Sequence, residues 1–228
     1  MISRLKIRCA LAAMVLLGGA LAVGTAQATT QDLSFTGTFN QDDDVQLFQF
    51  TADGTSNVVL RTWSYAGGTN AAGQAIARGG FDPILALFDS TGAYINQNDD
   101  GGCGNVAQDL SGECWDTYFS QTLAAGTYTV GIMEYNNFAN GPNLSDGFAR
   151  DGQGNFTPAF TGCSASAFCD VSGSAFNVRD NHWAFDILGV TEGGEINPPV
   201  GVPEPGSLGM LALGLLGLGW LLRRRRYA

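Results

Sequence analysis

Glycine constrains the middle of this chain more than any other residue. Residues 29–202 hold 24 glycines among 174 residues, together with all 14 phenylalanines. A glycine in a helix interior costs about 1 kcal/mol relative to alanine, so a segment this rich in it disfavours long helices. Tight turns take glycine at no steric cost, and aromatic side chains fit a pleated surface. No stretch shows a sustained apolar period of 3.6 residues, whereas period two recurs. Tyr128, Val130 and Ile132 alternate with Thr129, Gly131 and Met133, and Trp183, Phe185 and Ile187 alternate with Ala184, Asp186 and Leu188. Val58, Leu60 and Thr62 oppose Val59, Arg61 and Trp63 less cleanly. Each segment reads as a strand with one face on a core. Residues 84–88 are continuously apolar, which suits a central strand buried on both faces. Residues 33–39, 45–51 and 117–123 supply further strands, with Gln41-Asp42-Asp43-Asp44 as a solvated turn between the first two. Ser90-Thr91-Gly92 and Ala124-Ala125-Gly126 read as hairpin turns. Seven or eight short strands separated by glycine-rich turns predict an all-β domain over residues 29–195, an antiparallel β-sandwich or jelly roll.

Residues 136–181 break the rhythm. This stretch is rich in Gly, Asn, Ser and Asp, yet Phe138, Phe148, Phe156, Phe160, Phe168 and Phe176 punctuate it. Disordered segments are poor in aromatics, so it reads as a long excursion pinned to the sandwich by phenylalanines.

Charge is segregated along the chain. Residues 29–202 carry 20 acidic residues against four arginines and no lysine, a net charge of −16. Such a body repels phosphate backbones, which argues against nucleic acid as a partner. The bases sit at the ends. Arg4, Lys6 and Arg8 precede an apolar run from Cys9 to Val23, and Ala26-Gln27-Ala28 follows it. A basic opening, a short apolar core and small residues at Ala26 and Ala28 read as a signal peptide over residues 1–28, cleaved after Ala28 by signal peptidase. An apolar run of about 15 residues is short for a membrane-spanning helix.

The other end mirrors this order. Pro203-Glu204-Pro205 precedes an uncharged stretch over 206–222, and Arg223, Arg224, Arg225 and Arg226 follow. Seventeen residues at helical rise span about 25 Å, enough for one transmembrane helix in a thin bilayer. The arginine block acts as the membrane stop and stays cytoplasmic, which places the body on the far side. Residues 196–202 read as a linker. Val202-Pro203-Glu204-Pro205, a Gly/Leu-rich span and an Arg cluster resemble the tripartite PEP-CTERM sorting signal of Gram-negative bacteria over residues 203–228. That resemblance implies processing by an exosortase-type membrane protease at the Pro-Glu-Pro motif. It also implies transient residence in the inner membrane and a mature form at the cell surface or in the extracellular matrix.

Export agrees with cysteine usage. Without Cys9, the chain has Cys103, Cys114, Cys163 and Cys169, an even number in an oxidising compartment. Of the three pairings, Cys103 with Cys114 and Cys163 with Cys169 are favoured because each brackets one turn-rich loop. A tetrahedral zinc site is the alternative. It lacks a C-x-x-C pair, and His182 is the only histidine.

A second resemblance lies in the body. Phe81-Asp82-Pro83 leads into Ile84-Leu85-Ala86-Leu87-Phe88-Asp89, then Gly92, then Asn98-Asp99-Asp100-Gly101. Asp116 and Leu123-Ala124-Ala125-Gly126-Thr127-Tyr128 follow the first cysteine loop. From about Leu33 to Val190 this order resembles the bacterial pre-peptidase C-terminal (PPC) β-sandwich domain. The resemblance implies an accessory, non-catalytic module, some relatives of which bind calcium or extracellular polymers. The excursion over 136–181 departs from that pattern.

The candidate chemistry is calcium binding, with no cofactor required. Asn96-x-Asn98-x-Asp100-Gly101 imitates the start of an EF-hand loop but has Asn at position one and Ala107 where the bidentate Glu belongs. Asp99 and Asp100 remain the candidate ligands of a different kind of site, joined by Asp82 or Asp116 if the fold brings either near. The alternative is that these side chains only cap turns. No catalytic set stands out, because no Gly-x-Ser-x-Gly elbow occurs and His182 reads as a hydrogen-bonded rim residue. A glycan hydrolase using two carboxylates is the enzymatic alternative. Trp63, Tyr65, Trp115, Tyr118 and Tyr135 are candidates for a sugar-stacking platform, set against ordinary core packing. The sequence thus predicts an exported, non-catalytic surface or exopolysaccharide-associated component, with a calcium-dependent carbohydrate-binding module as the alternative.

Overall fold

The computed structural model describes residues 29–196 apart from Ser172 and Ser174. The signal peptide over 1–28 with Ala26 and Ala28, the linker beyond Ile196, Pro203-Glu204-Pro205, the helix over 206–222 and Arg223 to Arg226 lie outside the described residues. Among the described residues, no helix is long and apolar enough to cross a membrane.

Two antiparallel sheets face each other. The four-stranded sheet runs in the order β1 (Gln31–Thr38), β10 (His182–Val190), β3 (Asn57–Thr62), β8 (Tyr118–Thr122). The five-stranded sheet runs β11 (Glu192–Glu195), β2 (Val45–Ala52), β9 (Gly126–Glu134), β6 (Pro83–Phe88), β7 (Tyr94–Asn98). A two-stranded hairpin, β4 (Gly68–Thr69) and β5 (Ala75–Ile76), lies in the connection from β3 to β6.

The period-two residues meet where the alternation puts them. Phe48, Phe50, Leu85, Leu87, Val130 and Ile132 from one sheet pack against Leu60, Trp183, Phe185 and Ile187 from the other. Phe48 touches both Trp183 and Phe185, with ring centroids 5.7 and 5.2 Å away. Strand β6 is buried along its whole length. Its other face, carrying Ile84, Ala86 and Phe88, joins Met133 in a second cluster that Phe148 of the excursion covers. The excursion is ordered by burial of Phe148, Phe156 and Phe168, by a 3₁₀ turn at Leu144–Asp146 and by one short α-helix, α1 (Thr157–Thr161). Phe160 remains 38 % exposed.

The turn at Gln41 to Asp44 is a correction to the expectation of a solvated turn, because Asp42 is fully buried. Its carboxylate accepts from the Thr157 backbone N–H at 2.8 Å, the Thr157 hydroxyl at 2.5 Å and the Phe168 N–H at 2.8 Å. Asp43 accepts from the Gly154 N–H at 2.8 Å. A folded-in loop leaves backbone donors that need acceptors, and these two carboxylates supply them across more than a hundred residues of chain.

The two ends of the sandwich differ. Connections 53–56, 89–93, 123–125 and Thr191 are short and gather at one end. Segments 39–44, 63–82, 99–117 and 135–181 gather at the other, and β11 runs toward it alongside β2.

A candidate cation site at the long-loop end

Strand pairing brings the site together. Pro83 of β6 pairs with Glu134 of β9, and Leu85 of β6 pairs with Asn98 of β7. The start of β6 therefore lies between the end of β9 and the end of β7, which places Asp82 beside Asp99 and Asp100. The Thr117 hydroxyl donates both to the Pro83 carbonyl and to the Asp99 carbonyl, the latter at 2.7 Å, and so ties the two segments together.

Asp82, Asp99 and Asp100 each present a carboxylate oxygen within 4.8 Å of the others. Asp82 is buried, Asp99 half-buried and Asp100 exposed, so the trio forms a path from interior to solvent. Asp82 Oδ1 and Asp99 Oδ1 are buried without a hydrogen-bond donor, and Asn98 Oδ1 and Glu134 Oε2 share that condition. Buried acceptors without partners are rare and costly. Burial, reinforced by Asp99 and Asp100, raises the Asp82 carboxyl well above the ordinary range. Burial and then Asp100 push Asp99 up to about 7, while burial and then Glu113 raise Asp100. Glu134 is raised well above the ordinary range, first by burial and then by Asp42, Asp82 and Asp170. Like charges crowded in a low-dielectric site repel, and a divalent cation relieves that repulsion. Three carboxylates and nearby neutral oxygens form a hard donor set of the kind calcium takes.

The fold thus selects Asp82, not Asp116, as the companion of Asp99 and Asp100. The Asp116 carboxylate accepts from the Thr62 hydroxyl at 2.9 Å, the Tyr65 N–H at 3.1 Å and the Ala66 N–H at 2.9 Å. It shapes the loop after β3. Glu134 was not singled out from the sequence, although the alternation of Tyr128, Val130 and Ile132 continues onto it and carries it to the inward face.

An ion network braces the loops around the site. The Arg78 guanidinium donates to Asp109 from Nε at 2.6 Å and from Nη2 at 2.8 Å. Arg179 donates from Nη2 to Asp109 at 3.2 Å and from Nε to Asp170 at 2.5 Å, with its guanidinium 3.5 Å from the Tyr65 ring centroid. Burial opposes ionisation of Asp109, but the hydrogen bonds from Arg78 and Ser111 and the charge of Arg179 hold its carboxyl well below the usual range. Cys103 and Cys114 lie at disulfide distance across the same loop, with Cα atoms 5.1 Å apart, as do Cys163 and Cys169 in the excursion, 6.2 Å apart. These are the nearest-neighbour pairs.

Of the five rings named as a candidate sugar platform, one is withdrawn into the interior. Tyr65 is fully buried between Arg179 and Trp115. Trp63 has the Arg61 guanidinium 3.7 Å from its ring centroid, and a Cβ on Gly68 would lie 2.7 Å from its Cε3. Its Nε1 donates to Asp186 at 2.6 Å. Tyr118 neighbours the same Arg61, and Tyr135 packs on Phe138 and Phe160. Trp63, Trp115, Tyr118 and Tyr135 are each partly exposed. His182, at the start of β10, pairs with Asp180 and contacts the Ala77 carbonyl at 3.1 Å, in keeping with a rim residue.

Comparison with curated proteins finds no match to this chain. The family model of the PEP-CTERM protein-sorting motif matches residues 201–226, the segment that contains Pro203, Glu204 and Pro205. The motif marks an exported protein that transits the membrane, is processed by an exosortase and is sorted to the surface.

Proposed function

We propose that this protein is a non-catalytic component of the bacterial surface or its exopolysaccharide matrix, and that its sandwich carries a calcium ion at Asp82, Asp99 and Asp100. The PEP-CTERM segment delivers it. The observation that carries the calcium reading is Asp82: a 4 % exposed carboxylate with an unpartnered oxygen, facing two further carboxylates within 4.8 Å. A charge buried in this way is strongly unfavourable unless something neutralises it. A PPC-like fold, the resemblance drawn from the sequence, fits an accessory role.

The test is a thermal melt of the full chain in a non-ionic detergent, with calcium or with chelator. Calcium at 1,000 times its dissociation constant stabilises by about 4 kcal/mol, a rise of several degrees in Tm. Asp82→Asn removes the buried charge, so its melting temperature in chelator should match or exceed that of the unsubstituted protein, while its response to calcium should vanish. A calcium response that survives Asp82→Asn, or no response in the unsubstituted protein, overturns the reading.

A further inference from the structure

We propose that the long-loop end is a membrane-docking face, on which a divalent cation at Asp82, Asp99 and Asp100 bridges to phospholipid phosphate while Leu110, Val171 and Val178 enter the interfacial layer. This rests on the calcium reading above and extends it to a partner.

The three aliphatic side chains are the most exposed large hydrophobic residues described, at 72 %, 56 % and 52 %. Leu110 lies on the loop between β7 and β8, and Val171 and Val178 on one loop before β10; each is the immediate neighbour in sequence of a member of one ion network, Asp109, Asp170 or Arg179. The Arg179–Asp109 pair joins the two loops that carry them, and the Arg179–Asp170 pair closes the second loop. Arg78 and Arg179 offset Asp109 and Asp170 there. Exposed aliphatic side chains on loops that an ion pair holds together suit insertion into an interfacial layer.

The chain itself indicates what covers this face. Strand β11 runs toward the long-loop end, and the Ile196 N–H closes on the Leu47 carbonyl at 3.1 Å. The uncharged stretch begins at Gly206, ten residues on, a reach of at most about 36 Å for extended chain. The tail that enters the membrane therefore departs from the end that carries the carboxylates and the aliphatic tips. Without a cation, Asp100, Glu113 and Asp180 would repel an anionic leaflet. With one, the same end presents a metal with coordination positions open to phosphate oxygens. Tethering by the tail makes the contact intramolecular, so even a weak affinity suffices.

Hydrogen exchange on the full chain tests this. The protein is reconstituted in vesicles of phosphatidylethanolamine and phosphatidylglycerol at 7:3, in phosphatidylcholine vesicles, and in maltoside micelles, each with calcium or chelator. Docking requires calcium-dependent slowing of exchange, tenfold or more, over 103–114 and 169–180 in the phosphatidylglycerol vesicles and not in micelles or phosphatidylcholine. The double variant Leu110→Asp, Val178→Asp should lose that protection while keeping the calcium rise in melting temperature. Equal protection in micelles means that the ion only orders the loops, and overturns docking while leaving the calcium site standing. Protection in micelles that appears only when an acidic polysaccharide such as alginate is added also overturns it, in favour of the matrix as partner. Absence of any calcium response removes the cation site and, with it, the docking.

Discussion

Asp82 sits one residue before a strand that is apolar on both faces, and that position decides its chemistry. Any side chain there is drawn into the interior with the strand, so a carboxylate becomes a liability unless a cation or a proton meets it. Glu134 presents the same problem from the neighbouring strand, where burial and then Asp42, Asp82 and Asp170 raise its carboxyl well above the ordinary range. An acid whose folded pKa is raised stabilises the fold fully below its unfolded pKa, about 4.3 for Glu, and loses that contribution as pH rises toward the folded value. Glu134→Gln supplies the neutral form at every pH. In chelator, the variant should match the unsubstituted protein in urea melts at pH 4 and exceed it in stability at pH 8. A variant that is less stable at pH 8 would mean that the ionised form is the one the fold uses.

At the scale of the element, close approach between strands depends on what is missing as much as on what is present. Gly37 of β1 pairs with Trp183 of β10, and a Cβ added at Gly37 would lie 2.3 Å from the indole Cζ2. The indole occupies the space that a side chain would take, and it fills the core against Phe39 and Phe48. Gly37→Ala should therefore cost about 1–3 kcal/mol through overpacking, read as a lower urea midpoint at unchanged slope. Thr36→Ala, next to it on the outer face, should stay within about 0.5 kcal/mol. Two strands of the sandwich sheets escaped the sequence reading for a related reason. Strand β7 carries Tyr94, Asn96 and Asn98 against Ile95 and Gln97, and β11 is Glu-Gly-Gly-Glu. Both are edge strands held by backbone ladders, with little burial to write an alternation into the sequence.

The whole molecule is polar in its architecture. Short turns close one end, while every long connection, both loops with paired cysteines and the exit toward the sorting segment converge on the other. Antiparallel order produces this, since connections alternate ends and the long ones fall on one parity. Delivery is then separable from the fold. Glu204→Ala lies in the matched sorting motif and outside the sandwich, so it should leave the melting temperature of the body unchanged while a larger, unprocessed form accumulates in the membrane fraction on immunoblots. Normal processing of that variant would place the protease signal elsewhere.

The sequence alone determined those features whose cause is local. Side-chain alternation, turn glycines and a continuous apolar run act over a few residues, so they specified the all-β class and most strands of both sheets. The sorting motif is likewise read as contiguous sequence by a protease. Asp99 and Asp100 were legible as a candidate pair because they are adjacent. Only tertiary structure decided that Asp82 and not Asp116 joins them, that Asp42 is a buried anchor of the excursion, and that Arg179 pairs with Asp109 of another loop. Those outcomes depend on strand register and on which buried donors lack acceptors. Each is a sum over contacts between residues tens to more than a hundred positions apart, and no local pattern encodes it.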